Sequence, residues 1–144
     1  MAQRNKETMT TKPVLCADCG AECSLVKGRD VFPQDSSKHA EHYWLCHTCY
    51  AYIGCFKAGY GKGDGTLALG TAANAVTRKA REELHAAFND IWRKEPISRR
   101  DTYIAMSKAL GIPFEDCVIN TFNLATCKRA LTWVNQHRKL YVPN

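Results

Sequence analysis

The chain has 144 residues, eight cysteines and a formal net charge of +6, with 45% hydrophobic and 24% charged residues. That length holds one ordinary domain or two small units. Residues 1–12 are polar, without the apolar stretch of a secretory signal, and no apolar run approaches the ~18 residues that cross a bilayer, so membrane proteins and secreted disulfide scaffolds are set aside. A soluble cytoplasmic protein is expected, and in that reducing compartment eight cysteines point to metal rather than disulfide chemistry.

Residues 1–12 read as a disordered arm. Cys16-Ala-Asp-Cys19 and Cys46-His-Thr-Cys49 follow, two Cys-x-x-Cys pairs separated by 26 residues. Each pair is short enough for both thiolates to reach one ion, and two pairs complete a tetrahedral site whose binding energy is also folding energy. Cys16, Cys19, Cys46 and Cys49 are therefore the expected ligands of one structural Zn2+. Gly20 sits where a left-handed turn is commonly required. Residues 21–26 and 30–32 read as strands about a Lys27-Gly28-Arg29 turn, residues 42–45 as the strand leading to the second knuckle, and residues 51–53 as the one leaving it. This is the arrangement of a zinc ribbon, assigned to residues 13–58.

Glycine recurs at every second position from Gly59 to Gly65. The stretch matches neither the P-loop nor the dinucleotide fingerprint and reads as a connector over residues 59–70. From Thr71 the pattern turns helical. Ala73, Val76, Ala80, Leu84, Ala87, Phe88 and Ile91 recur at three- and four-residue steps and predict an amphipathic helix that stops before Pro96. Ser98 with Asp101 reads as the cap of a second helix ending at Leu110-Gly111. A third is expected from residue 123 or 124 to about 139, with Leu124, Cys127, Leu131 and Val134 inward. The fold class is then α+β: a zinc-ribbon-like β module followed by a three-helix unit over residues 71–144.

Several further residues bear on function. Cys23, Cys55, His39, His42 and His47 are alternative ligands or packing residues, while Cys117 and Cys127 are expected in the helical core. A closed four-thiolate site gives zinc no position for water, so a non-enzymatic protein is expected. The weaker alternative is a metal-dependent nuclease, for which Asp64, Glu82, His85 and Asp90 are the available ligands. Residues 71–144 hold twelve Lys/Arg against seven Asp/Glu, and residues 1–70 eight against seven. Arg78, Lys79, Arg81, Arg99, Arg100, Lys128, Arg129, Arg138 and Lys139 are the expected phosphate contacts, with Tyr43, Trp44, Tyr50, Tyr52 and Tyr60 able to stack on unpaired bases. DNA or RNA is thus the first expected partner. A protein-binding factor that inhibits or redirects a host polymerase, nuclease or defence component is the alternative.

Cys16-x-x-Cys-Gly20, residues 43–46 (Tyr-Trp-Leu-Cys), residues 51–55 (Ala-Tyr-Ile-Gly-Cys), residues 69–74 (Leu-Gly-Thr-Ala-Ala-Asn), residues 85–92, Ser98-Arg-Arg-x-x-Tyr103, Leu110-Gly111 and Cys127-Lys-Arg129 together resemble a zinc-finger-containing domain family of unknown function found largely in phages and prophages. The resemblance spans most of the chain after residue 12. It implies one zinc-bearing module with an attached helical region, a phage-associated setting and hence the host cytoplasm. The sequence departs from that pattern at Tyr50, where glycine is usual, at Phe56, where histidine is usual, and at Asn89, which stands for an aspartate.

Overall fold

In the computed structural model, residues 13–59, 63–94 and 96–141 are described, with side chains in the last helix described as far as His137. The expected arm, Tyr60, and the side chains of Arg138 and Lys139 lie outside the described residues. The chain divides into two compact units, residues 1–74 and 75–144.

The first unit is built on a three-stranded antiparallel sheet in the order β1-β2-β3, with β1 Ser24–Lys27, β2 His42–Leu45 and β3 Tyr52–Gly54. β1 pairs with β2 in the register Leu25 to Trp44, and β2 with β3 in the register Trp44 to Ile53. The strand expected at residues 30–32 is absent: Gly28–Val31 instead forms a single helical turn, α1. A hairpin at Gly28 is ruled out because its partner strand is supplied from farther along the chain, by β2. Gly28 is obligatory for another reason, since a Cβ there would lie 1.6 Å from the Lys38 carbonyl oxygen.

The described end of the expected connector, residues 63–70, bonds to the sheet of this unit. Phe56 N–H donates to Leu67 O (2.8 Å), Leu69 N–H to Gly54 O (3.0 Å), and the Trp44 indole N–H to Thr66 O (2.8 Å). Residues 71–74, read as the start of a helix, are extended. Ala73 and Tyr52 exchange two backbone hydrogen bonds, 3.1 and 3.2 Å. Ala72 and Ala73 are fully buried, so this run of small residues serves close backbone approach rather than helix propensity.

The second unit packs α2 (Ala75–Lys94), α3 (Arg99–Leu110) and α4 (Leu124–Tyr141) around Leu84, Phe88, Ile91, Met106, Ile119 and Val134. The α3 boundaries agree with the sequence. Ser98 Oγ accepts from Asp101 N–H at 3.0 Å, and Gly111 closes the helix with φ 71°. α4 begins at an Asn123 cap that accepts from Thr126 N–H at 2.8 Å. The inward stripe of α2 differs from the expected one at its first turn. Val76 is 62% exposed, and Thr77 and Arg81 are buried in its place. Arg81 is accommodated because its Nε donates to Phe122 O at 2.9 Å.

Candidate metal centre

The two knuckles close in the same way. Cys16 N–H donates to Ala21 O (2.9 Å) and Gly20 N–H to Cys16 O (2.8 Å); Cys46 N–H donates to Ala51 O (2.8 Å) and Tyr50 N–H to Cys46 O (2.7 Å). This tight reversal needs a left-handed residue directly after the second cysteine, and Gly20 and Tyr50 hold it with φ of 81° and 56°.

The knuckles bring the Sγ atoms of Cys16, Cys19, Cys46 and Cys49 within 4.8 Å of one another, with Cys19 and Cys46 at 3.5 Å. Four sulfurs at about 2.3 Å from a tetrahedral zinc stand roughly 3.8 Å apart, so the set fits that ion. Backbone amides face the sulfurs: Asp18 N–H lies 3.4 Å from Cys16 Sγ, and the Thr48 and Cys49 amides bond the Cys46 thiol. Such donors favour the thiolate form that a metal requires. Cys16 and Cys46 are buried, Cys49 half-buried and Cys19 exposed. As free thiols they resist joint ionisation: hydrogen bonding with Cys19, then burial and the nearby thiols, pushes Cys49 up to about 12. A divalent cation removes that conflict by holding all four as thiolates. This is a single structural zinc site with its coordination filled by protein.

The alternative ligands stay outside. Cys23 packs against the knuckle core, its thiol pushed up to about 11 by burial and by Cys46, Cys16 and Cys19. Burial also raises Cys55 to about 11. His39 Nε2 lies 3.1 Å from Phe32 O, His42 opens β2, and His47 is exposed at the knuckle tip. Cys117 and Cys127 are buried among the helices. Among the described residues the four cysteines form the one group arranged to hold a metal ion. Asp64 instead accepts from the Thr66 N–H and O–H at 3.1 and 2.6 Å, and Glu82, His85 and Asp90 form no such group with it.

The residues read as nucleic-acid contacts fall into different environments. Lys79, Arg99, Arg100, Lys128 and Arg129 are exposed and Arg78 is half-buried. Arg99 stacks on Tyr103 at 5.0 Å, Arg100 on Phe114 at 5.2 Å, and Arg129 donates to Leu110 O at 2.8 Å. Arg81 is withdrawn from the set, being 3% exposed and committed to Phe122 O. Of the aromatics, Tyr43 and Tyr52 are also withdrawn. With Phe32 they form an edge-to-face cluster with centroids 5.2–5.9 Å apart, and Tyr43 Oη donates to Glu41 at 3.0 Å. Trp44 is half-buried and spends its indole N–H on Thr66. Tyr50 is 76% exposed.

Sequence reasoning missed Asp18 and residues 72–74 as parts of the site. Ala17 N–H donates to Ala72 O (2.8 Å) and Asp18 Oδ2 accepts from Asn74 N–H (2.7 Å), which braces the first knuckle. The signal was the small-residue run Thr71-Ala-Ala-Asn74, whose brevity of side chain admits a backbone at that distance.

The model of one family, described as a zinc-finger-containing domain, matches residues 12–137. No curated protein and no solved structure matches the chain. Two matching knuckles, four converging thiols and that match over nearly the whole length have one meaning: the chain belongs to the zinc-finger-containing domain family.

Proposed function

We propose that the protein is a zinc-stabilised, non-enzymatic accessory protein that binds DNA or RNA through its helical unit, in a phage or prophage setting and so in the host cytoplasm. The observation that supports this reading is the distribution of charge. Lys79, Arg99, Arg100 and Lys128 are exposed and have no carboxylate partner among the described residues. They belong to a unit with twelve Lys/Arg against seven Asp/Glu. The zinc unit is nearly balanced by comparison, with eight Lys/Arg against seven Asp/Glu over residues 1–74. Four thiolates on one Zn2+ add two negatives. Polyanion binding is therefore a property of the helices, with the zinc serving to fold its own unit.

Neutralising phosphates releases counterions, so log Kobs falls linearly with log salt, by about 0.9 per contact on duplex and about 0.7 on single strands. The test is a salt titration with labelled single- and double-stranded oligonucleotides. Lys79→Glu with Lys128→Glu is expected to weaken binding and reduce the slope by about one per lost contact, whereas Lys27→Glu with Lys57→Glu leaves the slope unchanged. Binding that vanishes below physiological salt, or a slope indifferent to the helical variants, rejects this reading in favour of a protein target.

A further inference from the structure

The two knuckles share one backbone design and differ in what lies across them. In the first, the Ala17 N–H and the Asp18 carboxylate hold the extended segment of residues 72–74. The corresponding residues of the second are His47 and Thr48, both exposed. Among the described residues the His47 N–H has no acceptor and the Thr48 side chain has no partner. Beside them Tyr50 is held at φ 56°, a left-handed position that a bulky side chain strains to occupy. Its ring is 76% exposed and has no hydrogen-bond or ring partner among the described residues. A strained, exposed residue with no such partner among the described residues points to a contact outside the chain.

We propose that the second knuckle docks an extended, basic segment of a partner protein across His47–Tyr50, as the first docks residues 72–74. The internal segment supplies the template: a carbonyl of the partner accepts from His47 N–H, and main-chain pairing of this kind gives affinity with little demand on sequence. The Tyr50 face takes the stem and cation of a Lys or Arg side chain. Charge selects the same partner, since the site carries the two negatives of the zinc thiolates, which take a unit of eight bases and seven acids to a net negative charge. A nucleic-acid strand meets that negative charge and is disfavoured at this tip, which separates the two surfaces of the protein.

The test titrates the zinc-loaded, 15N-labelled full chain with the peptide Lys-Thr-Ala-Ala-Asn-Arg, which copies the internal segment between two cations, and with a version flanked by glutamates. Saturable shifts are expected at the His47, Thr48 and Tyr50 amides and not at Ala17, with the acidic peptide at least about ten-fold weaker. Tyr50→Gly is expected to retain zinc and its fold yet bind the basic peptide about five-fold more weakly, and Tyr50→Phe to bind as the wild type does. The proposal is overturned by the absence of shifts at millimolar basic peptide, by equal binding of the acidic peptide, or by wild-type binding in Tyr50→Gly. It is overturned equally if a single-stranded oligonucleotide shifts these amides and the peptide does not. None of these outcomes depends on the helical unit binding nucleic acid.

Discussion

Tyr50 occupies in the second knuckle the backbone position that Gly20 occupies in the first: each amide bonds the carbonyl of the leading cysteine, at 2.7 and 2.8 Å, and each has positive φ. Glycine reaches that region freely, whereas an L side chain there costs roughly 1–2 kcal/mol, offset in part by the chain entropy that glycine loses on folding. Tyr50→Gly is expected to stabilise the zinc-loaded protein by up to about 1 kcal/mol, and Gly20→Ala to destabilise it by about 1 kcal/mol or more. Urea denaturation of both variants checks the opposite signs. A loss of stability in Tyr50→Gly would show that the ring contributes to folding after all.

Removal of a buried ligand should be more severe. Cys16 and Cys46 are 2% and 0% exposed, so Cys16→Ser or Cys46→Ser is expected to abolish stoichiometric zinc and unfold residues 13–74, while Cys23→Ser and Cys55→Ser keep one zinc per chain. Metal analysis together with circular dichroism distinguishes the two classes. Loss of zinc in Cys55→Ser would mean that the ligand set is wrongly assigned.

Arg81 and Lys79 are near neighbours on α2 with opposite roles. Arg81→Ala removes a buried guanidinium and leaves Phe122 O without that donor, a change of about 2–4 kcal/mol in the helical unit with zinc content intact. Lys79→Ala, on the exposed side, should stay within about 0.5 kcal/mol. Thermal melts of the two single variants provide the comparison.

His85 sets a pH dependence. Burial, then the Arg99 and Arg81 guanidiniums, holds its imidazole below the ordinary value of 6.5. The unfolded chain therefore takes up a proton at a higher pH than the folded one, so this contribution is complete above 6.5 and is lost as pH falls toward the depressed folded value. His85→Gln should flatten the stability profile of the helical unit over that window. An unchanged slope between pH 7 and 5 would remove His85 as its source.

The parts of the fold governed by local chemistry could be read directly from the chain. Two Cys-x-x-Cys pairs leave little freedom in choosing ligands, and Ser98 and Gly111 bound α3 because a cap and a left-handed residue are needed at its ends. What was hidden depended on distant partners. Residues 63–74 looked like a glycine-rich link and a helix start, yet Leu67, Leu69, Ala72 and Ala73 bond the backbone of β3, Phe56 and the first knuckle. Arg81 carried the signature of a surface cation, and the Phe122 carbonyl, 41 residues away, helps give it a place inside. Tyr43 and Tyr52 looked like stacking residues until the sheet register set them beside Phe32.

The buried centres of the two units are made of different materials. Around the knuckles the fully enclosed residues are Cys16, Cys46, Ala51 and Ala72, side chains too small to hold a structure by themselves, whereas the helices enclose Phe88, Leu84, Ile91 and Met106. Folding of the knuckles is thus expected to depend on an ion, and folding of the helices is not. A cell depleted of zinc would hold a molecule with an intact helical unit and no knuckles to accompany it. Metal supply then decides not how much of this protein is present but how many of its surfaces are.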